Sequence, residues 1–286
     1  MKKQASFASI GDLCIDWFED SNQFFLGGTA YNTAISAVKA GANVQIFSSI
    51  GTDKFGQAFR KSFSLLGIDS SYLRIFDGKT SQIKINRDKN RQPTYADWRL
   101  GVLSKYSLGK EEKNQLKKFD IAKLTFFKPL QKLFDDFSQT RLNHTLKVAD
   151  FAGSSIYSCH TSLISRYINN FDVVVKSLDS KNISDLFALE ELSLQNTEKV
   201  VLALLGEKGS VAFFNGKRFV QPSTKVKVID ATGAGDAYMA QFLVSYLAKR
   251  NIPQAMLAGS QVASEVVAKP RVDHLRHNSN LFRAIK

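Results

Sequence analysis

The chain is 286 residues long, 44% hydrophobic and 23% charged, which suffices for a sizeable core and excludes collagen-like, coiled-coil and disordered compositions. Its two cysteines, Cys14 and Cys159, exclude a disulfide framework or a cysteine-built zinc site, and no apolar run is long enough to span a bilayer. The formal charge of +13 favours anionic ligands, but lysine and arginine are scattered without a basic block interleaved with aromatics, so a solvated basic face is expected and no nucleic-acid groove.

At the N-terminus, MKKQASFASIGDLCID carries two lysines and a short apolar stretch broken by Asp12 and Asp16. That pattern argues against a secretory signal and, with so few cysteines, for a reducing cytoplasm. The next stretch, CIDWFEDSNQFFLGG (14–28), is rich in aromatics and fits neither a helix nor a buried strand. From Leu26 to Gly56 the chain sets out Gly27, Gly28, Asn32, Gly41, Gly51, Asp53 and Gly56 around the strand-like run NVQIFSSI. Phe55, Phe59, Phe63 and Leu66 then recur at helical spacing and stop at Gly67, the residue expected at a C-terminal cap.

TSQIKINRDKNRQPTYADWR (80–99) alternates like a hairpin with Asp88 to Asn90 as its turn. This segment and 14–28 both carry exposed-looking aromatics, and the two are expected to pair as a small sheet projecting from a larger one. FDIAKLTFF (119–127), TLKVADF (145–151), FDVVV (171–175) and KVVLALL (199–205) are short apolar runs suited to strands covered on both faces. Alternation of such runs with helical segments predicts an α/β fold, a mostly parallel central sheet with helices on both faces.

DATGAGDAY (230–238) then sets two glycines between two aspartates before a helix continued by Ala237, Ala240, Phe242 and Tyr246. Unpaired N–H groups and the dipole at a helix start attract anions, and glycines let a phosphate approach the backbone closely. No Gly-Lys-Ser/Thr follows, and Tyr238 stands where a dinucleotide fingerprint needs its third glycine. On this stretch alone Asp236 is either a residue of the chemistry or simply an acid placed well against the helix dipole. The four histidines, among them His274 and His277, show no metal-site spacing, and no protein metal site is expected.

LGGTAYNTAISAVKAGANVQIFSSIGTDKFG and VIDATGAGDAYMA together closely resemble the two signatures of the PfkB (ribokinase-like) carbohydrate kinases. The second departs at Ala231 and Gln241. The resemblance covers nearly the whole chain, and IGDLCIDWF, TYADWRLGV and VADFAGSS look most similar to the fructokinase and fructoselysine-kinase branch. It implies a single ribokinase-like unit over residues 1–286, a three-layer α/β/α body with a small β lid from segments 14–28 and 80–99. The activity implied is transfer of the γ-phosphate of ATP, with Mg²⁺, to a hydroxyl of a small sugar or sugar derivative.

By the same resemblance Asp236 is the general base, and the backbone of Gly233, Ala234, Gly235 and Asp236 is the anion hole. Asp16 and Asn32 grip sugar hydroxyls, although a solvated turn and a helix cap would also explain them, and Gly28 lies where backbone approaches the sugar. LGEKG, with Gly206 and Gly209, resembles the nucleotide-side loop, and the helix around 255–268 walls the adenine. Two family stretches are altered: DFAGS keeps Asp150 but has Ala152 and Ser154 where asparagine and arginine are usual, and SLDS (177–180) stands for the Asn-x-x-Glu stretch, with Lys176 and Asp179 as stand-ins. The resemblance also implies a homodimer formed through the lid. A sugar- or nucleotide-binding protein that keeps the fold but transfers phosphate poorly is the alternative.

Overall fold

The computed structural model describes residues 4–19, 22–87, 93–153, 157, 160–178 and 183–270. The apolar runs form strands where expected: β4 (Asn43–Gly51), β8 (Ile121–Thr125), β9 (Leu146–Asp150), β10 (Val173–Ser177) and β11 (Val200–Leu204). They are joined in one sheet by β1 (Ser6–Ile10), β5 (Asp69–Phe76), β12 (Ser210–Phe214) and β13 (Lys217–Gln221). Among the described residues the order is β13-β12-β11-β10-β9-β8-β1-β4-β5. Neighbours are parallel except at β11–β12 and β12–β13, where a hairpin closes one edge.

Helices cover both faces, as burial of both faces of a parallel sheet requires. On one side lie α1 (Thr29–Lys39), α2 (Lys54–Leu66), α6 (Ala234–Lys249) and α7 (Ile252–Val267), whose apolar residues pack in one cluster with Phe7, Ile46 and Val175 of the sheet. On the other lie α3 (Lys110–Leu116), α4 (Gln131–Gln139) and α5 (Ile183–Leu194), around Phe126, Phe134 and Phe151. The helix read from phenylalanine spacing is α2, and Gly67 ends it in the left-handed conformation with φ 66°, which glycine adopts without a Cβ clash.

A second, four-stranded sheet has the order β3-β2-β6-β7, from β2 (Cys14–Phe18), β3 (Gln23–Gly27), β6 (Ser81–Arg87) and β7 (Pro93–Arg99). These are the two segments expected to pair, and β6 and β7 run antiparallel; the turn at Asp88 to Asn90 lies outside the described residues. The aromatics are less exposed than the sequence suggests. Phe18 and Phe25 are buried with Cys14, Ile83 and Ile85 on the inner face. On the other face, Trp17 stacks on Phe24 at 6.0 Å, and Phe24 meets Phe55 of α2 at 5.7 Å. Ile15 and Leu26 enter the main core, so the second face of the lid finds partners within its own chain.

The joint between body and lid explains the array at Gly51, Asp53 and Gly56. Asp53 caps α2 by accepting from Gly56 N at 2.9 Å, and also accepts from Thr80 N at 2.9 Å and Thr80 Oγ1 at 2.6 Å. A Cβ on Gly51 would lie 2.2 Å from the Gly78 carbonyl, and one on Gly56 would lie 2.0 Å from that of Gly51. Only glycine lets these backbones touch at the entry to β6.

Candidate active site

The sheet reverses its winding between β1 and β8, and ligands of open α/β sheets bind beyond the carboxyl ends of strands at such a point. A cleft lies there. It is lined by Asp12 after β1, Phe127 after β8, Asp150 at the end of β9, Ser177 at the end of β10 and Leu204 at the end of β11. The lid roofs it with Cys14, Asp16, Ile83, Tyr95 and Trp98, and Gly233, Gly235 and Asp236 form part of its floor.

The two aspartates of DATGAGDAY have different tasks. Asp230 is buried and accepts from Thr232 N at 2.8 Å, shaping the turn. Gly233 follows with φ 81°, a left-handed conformation suited to glycine, and starts α6. Asp236 lies in the first helical turn, where its carboxylate accepts from Asn32 Nδ2 and Thr33 Oγ1, both at 3.2 Å. Burial is the main reason its carboxyl is pushed up; Lys123 opposes that shift and the charge of Asp150 reinforces it.

At the start of α6 the N–H of Ala234 bonds the Ala231 carbonyl at 3.3 Å, so that donor closes the turn. Gly235 and Asp236 are first-turn residues, whose N–H groups have no partner within a helix. A Cβ on Gly235 would meet only the Leu204 side chain, at 3.9 Å. Protein packing therefore does not demand glycine at 235, and its bare backbone faces the cleft.

Asn32 belongs to the buried first half of α1 and is no helix cap: the N-cap is Gly28. While its Nδ2 serves Asp236, its Oδ1 is buried without a hydrogen-bond partner. A buried acceptor without a donor is costly in a native structure. Gly28 has φ 93°, and a Cβ there would lie 2.4 Å from the Asp12 carbonyl, so glycine is required by the protein itself as well as at the cleft wall.

Asp16 is buried on the inner face of the lid, paired in register with Phe25 and Ile83, and is not a solvated turn. Asp12 escaped the sequence reading. It accepts from Thr29 N at 2.9 Å and Thr29 Oγ1 at 2.6 Å at the start of α1, and burial pushes its carboxyl up to about 6 against those bonds. Opposite stand aromatics: the Trp98 ring meets Phe127 at 5.2 Å and Tyr157 at 5.3 Å, and its indole N–H donates to Ser81 Oγ at 2.9 Å.

The remaining sequence candidates lie away from this floor. Gly206 and Gly209, with φ 56° and 91°, shape the tight link from β11 to β12, where a Cβ on Gly209 would lie 2.1 Å from the Gln221 carbonyl. Lys176 is buried, donates to the Phe151 carbonyl at 3.1 Å and does not line the cleft. Asp179, Ser154, His274 and His277 lie outside the described residues. Among the described residues no group of three or more His, Cys, Asp or Glu is placed to hold a metal ion, and no helix is long and apolar enough to cross a membrane.

The pattern of the pfkB family carbohydrate kinases matches residues 6–277. A fructoselysine 6-kinase of Shigella flexneri is 26% identical over 92% of this chain and 97% of its own length. A fructosamine kinase of Bacillus subtilis is 20% identical, over 90% and 89%. Among solved structures, a fructokinase from Vibrio cholerae O395, bound to fructose, ADP and calcium ion, superposes with a TM-score of 0.74 at 17% identity, covering 99% of both chains. A ribokinase from Thermotoga maritima gives 0.74 at 19%, covering 98% of both. The chain belongs to the pfkB family of carbohydrate kinases: it has the ribokinase-like fold and is a phosphotransferase acting on an alcohol group.

Proposed function

We propose that this pfkB-family kinase transfers the γ-phosphate of ATP to a hydroxyl of a small sugar of the fructose or fructosamine type, with Asp236 as general base. The observation that carries this reading is the pair at the cleft floor: Asp236 shares a 3.2 Å hydrogen bond with Asn32, whose Oδ1 is buried and lacks a donor. A sugar hydroxyl supplies that donor, and a neighbouring hydroxyl then lies within reach of the Asp236 carboxylate. Asp16 takes a further hydroxyl from the lid, and Gly28 lets the sugar lie close to backbone.

In the reaction the hydroxyl oxygen attacks the γ-phosphorus as its proton passes to Asp236, and the bond to the departing ADP breaks. The N–H groups of Gly235 and Asp236 face the charge that develops on the transferred group. The open space over Gly235 suits a phosphate chain at the start of α6. In the same reading Gly206, Gly209 and the α7 face border the nucleotide side. With no group of three or more His, Cys, Asp or Glu placed to hold a metal ion among the described residues, Mg²⁺ fits as an ion carried on the nucleotide phosphates, where it would neutralise charge.

The finer substrate class follows from charge. Asp12, Asp16, Asp150 and Asp236 line one cleft beside Tyr95, Trp98, Phe127 and Tyr157, an acidic and aromatic lining in a chain of net charge +13. Such a lining attracts a protonated amine through Coulomb and cation–π terms and favours an amine-bearing sugar over the neutral one. Cytoplasmic action and pairing of two lids belong to the same reading.

ADP release with fructose, fructose–amine adducts, ribose and nucleosides tests it. The expected result is turnover on ketose substrates, with the amine adduct ahead of fructose in kcat/KM by about 10-fold or more. ATP turnover with none of these sugars would favour a fold-retaining binding protein.

A further inference from the structure

A lysine stands in the middle of β8, a strand otherwise built from buried apolar residues and threonine. Strand alternation turns Ile121, Lys123 and Thr125 toward the α1 and α6 layer, away from Ala122 and Leu124. Lys123 is 1% exposed. Its Nζ lies 3.0 Å from Thr33 Oγ1, 3.1 Å from Thr125 Oγ1, 3.1 Å from Asp150 Oδ2 and 3.3 Å from Asp236 Oδ1. Burying an ammonium is expensive, and an all-apolar cluster in place of a buried ion pair or triad is often as stable or better, so packing alone gives no reason for a lysine–carboxylate cluster here.

We propose that Lys123 is a positioning residue for phosphoryl transfer: its buried ammonium bridges Asp236 to Asp150, fixes the orientation of the Asp236 carboxylate and keeps that carboxylate charged. This rests on the reading of Asp236 as the base. Thr33 and Lys123 approach Oδ1 while Asn32 approaches Oδ2, so the carboxyl plane is set from both ends. Without the ammonium, Asp150 and Asp236 would face one another as like charges, and two carboxylates in one site hold a proton between them. A base that already carries a proton cannot accept one from the sugar. Lys123 keeps its own proton throughout, because Asp150 and Asp236 outweigh the effect of its burial and hold its ammonium charged.

The charged groups around Asp236 are Lys123 from β8, Asp150 from β9 and Asp12 after β1. Asp16, Cys14, Tyr95 and Tyr157 line the same cleft. Of these, Lys123 is the cation in direct contact with the base.

The test is the pH profile of kcat and kcat/KM for the preferred sugar in wild type, Lys123→Gln, Lys123→Arg and Lys123→Gln/Asp150→Asn, with thermal unfolding recorded for each. The acid limb of Lys123→Gln should rise by one pH unit or more, with kcat about 100-fold down at pH 7 and the deficit shrinking to under about 10-fold at pH 9. Lys123→Arg should keep the limb near the wild-type position. If Lys123→Gln does not fold, the double variant, which removes both buried charges, should fold and place the limb near wild type. A folded Lys123→Gln whose kcat falls equally at every pH, with the limb unmoved, or a folded double variant whose limb lies one pH unit or more above wild type, would overturn the proposal and leave a structural lysine. Asp236→Asn in the same series separates the two claims: normal turnover in that variant would remove the base reading itself, whereas lost turnover at all pH values with an unmoved Lys123→Gln limb removes only the lysine's part.

Discussion

Asn32 and Asp236 are 204 residues apart in the chain and meet at 3.2 Å, side chain to side chain, at the floor of the cleft. The contact joins the first turns of α1 and α6, so the residue proposed to grip the sugar and the residue proposed to take its proton are held by one helix–helix packing. Their mutual orientation therefore depends on the body of the fold, and sugar affinity is open to adjustment from the lid.

Asp16→Ala tests that division. The carboxylate lines the cleft from β2, so its removal should raise the sugar KM by the equivalent of about 1.5–3 kcal/mol while ATP affinity stays as it was. Titrations of both ligands check this; weaker ATP binding with unchanged sugar affinity would place Asp16 outside the sugar site.

The two glycines before Asp236 should respond differently to alanine. Gly233 has φ 81°, so Gly233→Ala should lower stability by about 1–2 kcal/mol. At 235 a Cβ meets ordinary contact at 3.9 Å, so Gly235→Ala should melt like wild type yet lose turnover of order 10-fold or more, because the methyl group occupies the approach to the helix start. Parallel melting and ADP-release measurements on both variants separate the effects.

Asp12 makes stability pH-dependent. Its carboxyl rises from 3.8 unfolded to about 6 folded, so the native state binds the proton more tightly and stability falls as pH rises through that window. The loss reaches about 3 kcal/mol above pH 6. Asp12→Asn removes this term: its stability relative to wild type should increase by that order between pH 4 and pH 7. Denaturant melts at the two pH values give the difference, and a pH-independent difference would contradict the assignment.

Trp98→Ser should weaken sugar binding without changing the oligomeric state, since its ring packs against Phe127 and Tyr157 at the cleft and the aromatics on the outer lid face are Trp17 and Phe24. Sedimentation velocity alongside sugar titration reads both. Loss of self-association in this variant would show that the cleft wall also supports lid pairing.

Much of this architecture was legible from the chain because single residues carried it. Apolar runs bounded by polar residues marked β4 and β8 to β11, Gly67 marked the end of α2, and glycines with Asp236 marked the start of α6. The edge strands β5 and β13 were harder to see, since half-exposed strands mix polar and apolar residues without a continuous run. Lys123 and Asp12 were missed for another reason. Each looks like a polar interruption in or beside an apolar strand, and its meaning arises from partners brought in by topology, Asp236 lying 113 residues beyond Lys123. The lid was placed correctly in sequence, but Phe18 and Phe25 read as exposed because the inner core they form with Ile83 and Ile85 spans two distant segments.

The most direct measurement is steady-state ADP release by Asp236→Asn on the preferred sugar, with ATP binding and melting temperature measured on the same preparation. Asparagine preserves the shape of the side chain and removes its ability to take a proton, so turnover should fall about 100-fold or more while ATP binding and stability are retained. Turnover close to wild type in a folded, ATP-binding variant would contradict the assignment of Asp236 as the base.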